Sequence, residues 1–240
     1  MLASSNYFFF RLLMDILKQE SITQDNSLIE ACYSMTLNEK RLLLLGLSKV
    51  DPTVFPDMAQ QIRFKLTADD WLNAFPESLQ PYRDMKRAAD GLLSRYLTLH
   101  PKAGHTKKIN WFSSVEYIDQ QASVEVEFTP AVKVRVQGLL ENFTTIPILS
   151  VGKLKSIYGI RLYELLMQFK TTGFRQISIE DFRIAMDCIK RYPATKNLKQ
   201  KILAPALADL EKNNGMKVKV EDIKIGRKII AFKFTFKKGF

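Results

Sequence analysis

The sequence predicts an α+β protein made of two tandem winged-helix domains, each a helix-turn-helix followed by a β-hairpin wing. Three observations predict it. The order helix, short strand, capped helix, second helix, strand hairpin occurs twice. The spacing agrees between the two occurrences, since Thr67 precedes Tyr82 by 15 residues and Ser178 precedes Lys196 by 18. The second occurrence also carries all of the excess charge. Of 240 residues, 36 are Lys or Arg and 25 Asp or Glu, a net +11. Residues 1–150 hold 16 basic against 17 acidic side chains, and residues 151–240 hold 20 against 8. No residue-level repeat accompanies this duplication, which is one of architecture alone.

Each element has a local cause. Thr36-Leu-Asn-Glu39 is a capping-box signature ahead of Leu42–Leu45 and Leu47, and leucine on every side implies a helix buried all round. After the Pro-containing stretch 51–56, residues 62–66 alternate as a short strand. Thr67-Ala-Asp-Asp70 caps a helix through Phe75, which Pro76 and Pro81 end. A second helix over 82–97 turns Met85, Ala89, Leu92, Leu93 and Tyr96 inward. Residues 97–99, 109–112 and 123–129 read as strands, the last alternating Val124, Val126 and Phe128. It is open to two readings, an edge available for pairing between subunits or an internal strand.

The second half repeats the order. A helix over 151–170 places Leu154, Ile157, Tyr158, Leu162, Leu165, Leu166 and Phe169 at helical spacing, and Gly173 ends it. Residues 175–179 form a strand, and Ser178-Ile-Glu-Asp181 caps a helix with Phe182 and Met186 inward. Past Pro193 a further helix over 195–212 carries Leu198, Ile202, Ala206 and Leu210. Pro205 either kinks that helix or ends it near Leu203. Residues 218–220 and 229–236 form a hairpin around Ile225-Gly226, with Ile230, Phe232, Phe234 and Phe236 on one face. The boundaries that follow are an N-terminal extension at 1–21, a first winged helix at 22–140, a linker at 141–147 and a second winged helix at 148–240.

Composition narrows the function classes. At 46% hydrophobic and 25% charged the chain has an ordinary globular balance. No apolar run is long enough for a spanning helix. The apolar run 7–17 is interrupted by Arg11 and Asp15, and is a poor signal peptide. Cys32 and Cys188 stand far apart and read as buried thiols of a reducing compartment, so the expected location is the cytoplasm. No P-loop exists, because Leu154 follows Gly152-Lys153 and the upstream glycine is missing. His100 and His105 lack ligand-spaced carboxylates or cysteines, and no His-x-His motif accompanies a tyrosine as a nickase would require. The expectation is a binding protein with no catalytic residue, metal or cofactor.

The lopsided charge suits a polyanion, because each neutralised phosphate releases counterions. Membrane lipid is the weaker candidate, since these lysines are interleaved with strands rather than gathered on one amphipathic helix. In a winged helix the second helix of the helix-turn-helix enters the major groove. On the 195–212 helix the outward face holds Lys196, Lys199 and Gln200, flanked by Asn197 and Lys201. Lysine donates to guanine, and Asn or Gln pairs with adenine. The wing tip offers Lys224, Arg227 and Lys228 to phosphates or the minor groove. Lys153 and Lys155 add phosphate contacts from the first turn of the 151–170 helix. Arg161, beside Glu164, reads as a structural partner of an acid. The corresponding helix of the first unit mixes Arg83, Lys86 and Arg87 with Asp84 and Asp90, with Lys102, Lys107 and Lys108 in a nearby loop, which allows weak or backbone-only contact.

Several stretches resemble one family. Asn26-Ser-Leu-Ile-Glu-Ala-Cys-Tyr33 and Leu37-Asn-Glu-Lys-Arg-Leu-Leu-Leu44 are similar to the opening of plasmid replication initiators of the Rep_3 (RepB-like) superfamily. Leu154-Lys-Ser-Ile-Tyr-Gly-Ile-Arg-Leu-Tyr-Glu-Leu-Leu166 resembles the family's signature helix. Ile202-Leu-Ala-Pro-Ala206 and Ile225-Gly-Arg-Lys-Ile229 resemble its later landmarks. The resemblance covers roughly 22–238. It implies binding of duplex DNA at directly repeated origin sequences (iterons) by a monomer, and recruitment of host helicase and other replication proteins. It also implies a homodimer through the first domain that represses its own promoter, in a plasmid-bearing bacterium. A double-winged-helix transcriptional regulator without a replication role is the alternative. Residues 1–13 fall outside the resemblance, and Met14-Asp-Ile-Leu-Lys leaves open a start at Met14.

Overall fold

A computed structural model describes residues 21–54, 57, 61–99 and 105–237. Residues 1–20 of the extension expected at 1–21, His100 and Lys102 lie outside the described residues, and Ser21 opens a strand instead. The chain enters through β1 (Ser21–Asp25), α1 (Asn26–Glu30) and α2 (Leu37–Ser48). Thr36 closes a complete capping box on α2: its hydroxyl accepts from Glu39 N at 3.2 Å, and the Glu39 carboxylate accepts from Thr36 N at 2.8 Å. Leu42 to Leu45 and Leu47 are all buried, as leucine on every face requires.

The first winged helix follows as β2 (Arg63–Thr67), α3 (Ala68–Ala74), α4 (Pro81–Ser94), a small hairpin β3 (Tyr96–Leu99) with β4 (Lys107–Asn110), and the wing β5 (Phe112–Ile118) with β6 (Ser123–Phe128). Thr67 and Asp70 form the capping box of α3. The sheet is antiparallel in the order β2-β6-β5, with Leu66 opposite Val124 and Phe112 opposite Phe128. Phe112 and Phe128 of the sheet share the core with Trp71 and Phe75 of the α3 segment and Met85 of α4.

Three expectations change here. The strand expected at 109–112 divides, because Ile109 pairs with Leu97 whereas Phe112 opens the wing strand. Ser113 and Ser114 had hidden the alternation of that strand. Strand β6 is central, so it offers no edge for pairing between subunits; the edges of this sheet are β2 and β5. Leu93 and Tyr96 are 40% and 44% exposed, because α4 ends at Ser94 and Tyr96 begins β3.

After α5 (Pro130–Lys133), the stretch read as a linker is itself structured: β7 (Phe143–Pro147) pairs antiparallel with β1, Ile146 opposite Ile22. The single helix expected over 151–170 is two, α6 (Ile148–Gly152) and α7 (Ile157–Met167). Gly152 ends α6 against α3, where a Cβ would lie 2.2 Å from the Ala74 carbonyl oxygen. That close approach is why this glycine serves packing. Ser156 then caps α7, accepting from Gly159 N at 2.9 Å.

The second winged helix comprises β8 (Phe174–Ser178), α8 (Ile179–Ala185), a long helix α9 at 195–214, β9 (Val218–Ile225) and β10 (Lys228–Phe236). Its sheet order β8-β10-β9 reproduces β2-β6-β5, first strand, last strand, middle strand. Phe232, Phe234 and Phe236 are buried, with Phe182 edge-on to Phe232 at 5.3 Å between centroids. Ile230 leaves this face, because the register shifts between Ile229 and Ala231 and the bulge turns Ala231 inward. Pro205 does not end α9. Segment Lys199–Leu203 is π-helical, with Ala204 N–H bonded to the Lys199 carbonyl five residues back, and α-helix resumes at Ala204–Asp209. The wider turn accommodates the proline ring without a break.

Candidate nucleic-acid interface

The face of the second unit is built on α9. Leu198, Ile202, Ala206 and Leu210 are fully buried, and this fixes which side of the helix meets solvent. Lys196, Asn197, Gln200 and Lys201 lie exposed on that side. Lys196 and Lys201 have no acidic partner among the described residues. Lys199 behaves differently: its Nζ lies 2.8 Å from Asp222 Oδ2 on β9, so it ties the helix to the wing. Between the helix and the wing runs an open groove floored by Leu203, Leu207, Val220 and Ile229 and rimmed by Lys196, Lys199 and Gln200.

The start of α9 carries no side-chain cap. Asp25, Thr36, Thr67, Ser156 and Ser178 each cap a helix with a side-chain acceptor. Ala194 and Gln80, which precede the second helix of each helix-turn-helix, provide none. Uncapped N–H groups at a helix N-terminus, with the positive end of the dipole behind them, suit an anion. The turn before α9 adds an exposed Lys190 with no acidic partner and Arg191, which bonds the Asp187 carbonyl at 2.8 Å. The sequence reading missed both, although their place just ahead of Pro193 and the helix was the available signal.

At the wing tip, Gly226 adopts φ +58° and lets the chain reverse within two residues. Lys224, Arg227 and Lys228 are exposed around it and have no acidic partner among the described residues. Lys153 and Lys155 are exposed too, but they stand in the turn between α6 and α7, not within a helix. The N-terminus of α7 is closed to outside anions. The Asp209 carboxylate of α9 already accepts from Lys155 N at 3.1 Å, Ser156 N at 2.8 Å and Ser156 Oγ at 2.7 Å. Arg161 is buried and structural, but its partners are not an acid. It donates to the carbonyls of Ala31 (2.9 Å) and Ala185 and lies over the Tyr33 ring at 4.0 Å.

The equivalent face of the first unit is neutralised in part. Lys86 Nζ sits 2.9 Å from Asp119 and within 5.0 Å of the Tyr117 ring centroid. Tyr82 donates to Asp119 and Tyr117 to Asp90. Partial burial and Asp119 push the Tyr82 hydroxyl up to about 12, while Tyr82 and Lys86 hold the Asp119 carboxyl below the usual carboxylate range. Arg83 and Arg87 remain exposed on α4 without an acidic partner among the described residues. His105 is exposed, and no group of three or more His, Cys, Asp or Glu able to hold a metal occurs among the described residues. No helix among them is long and apolar enough to cross a membrane.

Comparison with known proteins gives consistent matches along the chain. The family model described as Initiator Replication protein, WH1, matches residues 21–167, and that described as Initiator Rep protein, WH2, matches residues 178–236. An uncharacterised 27.6 kDa protein of Escherichia coli is 29% identical over 166 residues, covering 65% of this chain and 70% of that protein. The crystal structure of Pi initiator protein in complex with iteron DNA superposes with a TM-score of 0.76 at 19% identity, over 91% of this chain and 97% of that one. At that identity the likeness establishes the fold, two tandem winged helices.

Proposed function

This chain belongs to the replication initiator family of double winged-helix proteins, and on that premise we propose that it initiates replication by binding directly repeated duplex sequences, iterons, at an origin. The observation that carries the reading is the asymmetry between two equivalent faces. In the second unit the exposed Lys196, Asn197, Gln200 and Lys201 and the wing tip Lys224, Arg227 and Lys228 are open to a duplex, together with an uncapped helix start that α4 shares. Lys196 and Lys201 stand beside the two amides, so cations position the helix while Asn197 and Gln200 read adenine edges. Lys153 and Lys155 flank this face as phosphate contacts, and Lys199 joins it when Asp222 releases it.

The finer proposals follow from the family. The initiating form is a monomer that recruits host replication proteins, and a homodimer through the first domain represses the protein's own promoter. The protein acts in the cytoplasm, without catalysis of its own. The test is fluorescence anisotropy across a salt series on two duplexes of equal length. One carries the direct repeats beside the gene, the other a scrambled copy. A preference of about 10³ or more at physiological salt is expected. Equal, steeply salt-dependent binding to both would overturn the initiator reading and leave a general DNA clamp.

A further inference from the structure

The two units meet through a cluster of buried polar groups. Lys40 of α2 and Glu164 of α7 form an ion pair at 2.8 Å with both side chains essentially fully buried. Glu164 also accepts from Gln24 Nε2 of β1 at 2.8 Å, and Lys40 donates to the Tyr33 hydroxyl at 2.8 Å. Burial alone would lower the Lys40 ammonium, yet Glu164 and Tyr33 hold it above the ordinary lysine value, so it stays charged. Arg161, one turn before Glu164 on α7, spans the same junction by donating to Ala31 on one side and Ala185 on the other.

Helices α2 and α7 are the equivalent first helices of the two winged helices, and each packs on the second helix of its own helix-turn-helix, α4 and α9. Both contacts are tight in the same way. A Cβ on Gly91 of α4 would lie 2.0 Å from the Glu39 carboxylate of α2, and a Cβ on Gly159 of α7 would lie 2.2 Å from the Asp209 carboxylate of α9. A continuous series of close contacts therefore runs α4, α2, α7, α9, with Glu39 and Lys40 serving successive joints.

We infer that Lys40 and Glu164, supported by Gln24, Tyr33 and Arg161, are positioning residues that fix the distance and rotation between α4 and α9, and with them the spacing of two contact sites on one duplex. The inference rests on the DNA-binding function proposed above. An apolar junction tolerates sliding, whereas a buried ion pair with directional bonds does not, because displacement leaves charge unpaired. Both helices present cations that a duplex can engage, Arg83 and Arg87 on α4 and Lys196 and Lys201 on α9. One inserted base pair moves the second site by about 3.4 Å and turns it by about 35°. A rigid junction cannot follow that change.

The test uses the full chain and a pool of duplexes with a randomised central segment, selected for binding, followed by anisotropy on the best sequence with one base pair inserted or removed between its two enriched blocks. The wild type is expected to enrich two blocks at one spacing and to lose about tenfold or more in affinity when the spacing changes. Lys40→Met with Glu164→Leu replaces the pair by apolar groups of similar size. That variant is expected to bind the original spacing nearly as well and to accept the altered one with a several-fold smaller loss. A folded double variant with the wild-type spacing dependence overturns the inference. If it fails to fold, Glu164→Gln carries the test, since it keeps the side-chain shape and removes the ion pair; unchanged spacing dependence there overturns the inference equally. A wild type that enriches one block alone also overturns it while leaving the proposed function standing. Enrichment of no sequence sinks both.

Discussion

Substituting Ala194 by Asp separates folding from binding at the start of α9. The backbone at Ala194 has φ −73° and ψ 128°, an extended conformation that already suits a capping residue, so a side-chain acceptor can be added without strain. The Asp carboxylate would accept from the free N–H groups of the first turn. The expected gain is about 1 kcal/mol from the cap, plus a few tenths from the helix dipole. For a chain of this length that raises Tm by about 2–4 °C. Binding should move the opposite way, because the same N–H groups are proposed to meet a phosphate and the new charge would repel it. Losing one such contact lowers the slope of log affinity against log salt by about 0.9. The affinity itself should fall about tenfold, or 1.4 kcal/mol. Thermal melting and anisotropy across a salt series measure the two effects on one preparation. Ala194→Ser, which caps without charge, should stabilise similarly and bind with a smaller loss. A higher Tm for Ala194→Asp with unchanged affinity and slope would refute the placement of a phosphate at this helix end.

Gln200→Ala should weaken binding to the preferred sequence by about 1–3 kcal/mol and relax one base position, while Arg227→Ala should weaken all duplexes alike and reduce the salt slope by about 1; anisotropy on matched and single-mismatch duplexes distinguishes them. Asp222→Ala frees Lys199 from its partner. Affinity for any duplex should rise and the salt slope steepen by about 0.9, and no change would mean Lys199 stands away from the phosphates. Gly159→Ala should destabilise the fold in a urea melt, against helix propensity. The gain of about 1 kcal/mol from replacing glycine is outweighed when the new Cβ displaces Asp209 and strips bonds from the part-buried Lys155 N and Ser156 N, at about 1 kcal/mol for each.

The helices were legible in the sequence where a local signal sufficed. Thr36, Thr67 and Ser178 announce α2, α3 and α8 because a capping side chain acts over three residues. The repeated architecture was legible for the same reason, as an order of such signals. What the sequence obscured depends on distant partners. Phe112 begins a wing strand because Phe128 lies opposite it, which no window around Ser113 and Ser114 reveals. The stretch 141–147 looks like a connector, yet Ile22 pairs with Ile146 across more than a hundred residues. At the candidate interface, exposure of Lys196, Asn197, Gln200 and Lys201 followed from the apolar spacing of α9. The engagement of Lys199 by Asp222 did not, because it depends on where the wing folds back. The pairing of Lys40 with Glu164 was equally hidden, since each stands among leucines that conceal its partner.

The two units share a topology and differ in how they treat the same surface, and this difference divides the proposed work between them. Asp119 binds both Tyr82 and Lys86, and because those partners keep its carboxyl below the usual range, the cluster stays intact at neutral pH. A duplex approaching α4 therefore meets Arg83 and Arg87 beside neutralised groups, with the exposed Gln80 just ahead of them, and finds fewer open groups to read a base than on α9. On α9 one acid, Asp222, engages one lysine, and Asn197 and Gln200 remain open. On the proposed reading the second unit carries most of the sequence discrimination, while Arg83 and Arg87 of the first add a shorter block when they reach the duplex. Their reach depends on where α4 is held relative to α9. A unit that reads few bases can still impose specificity, through the length of the site, provided the junction at Lys40 and Glu164 holds.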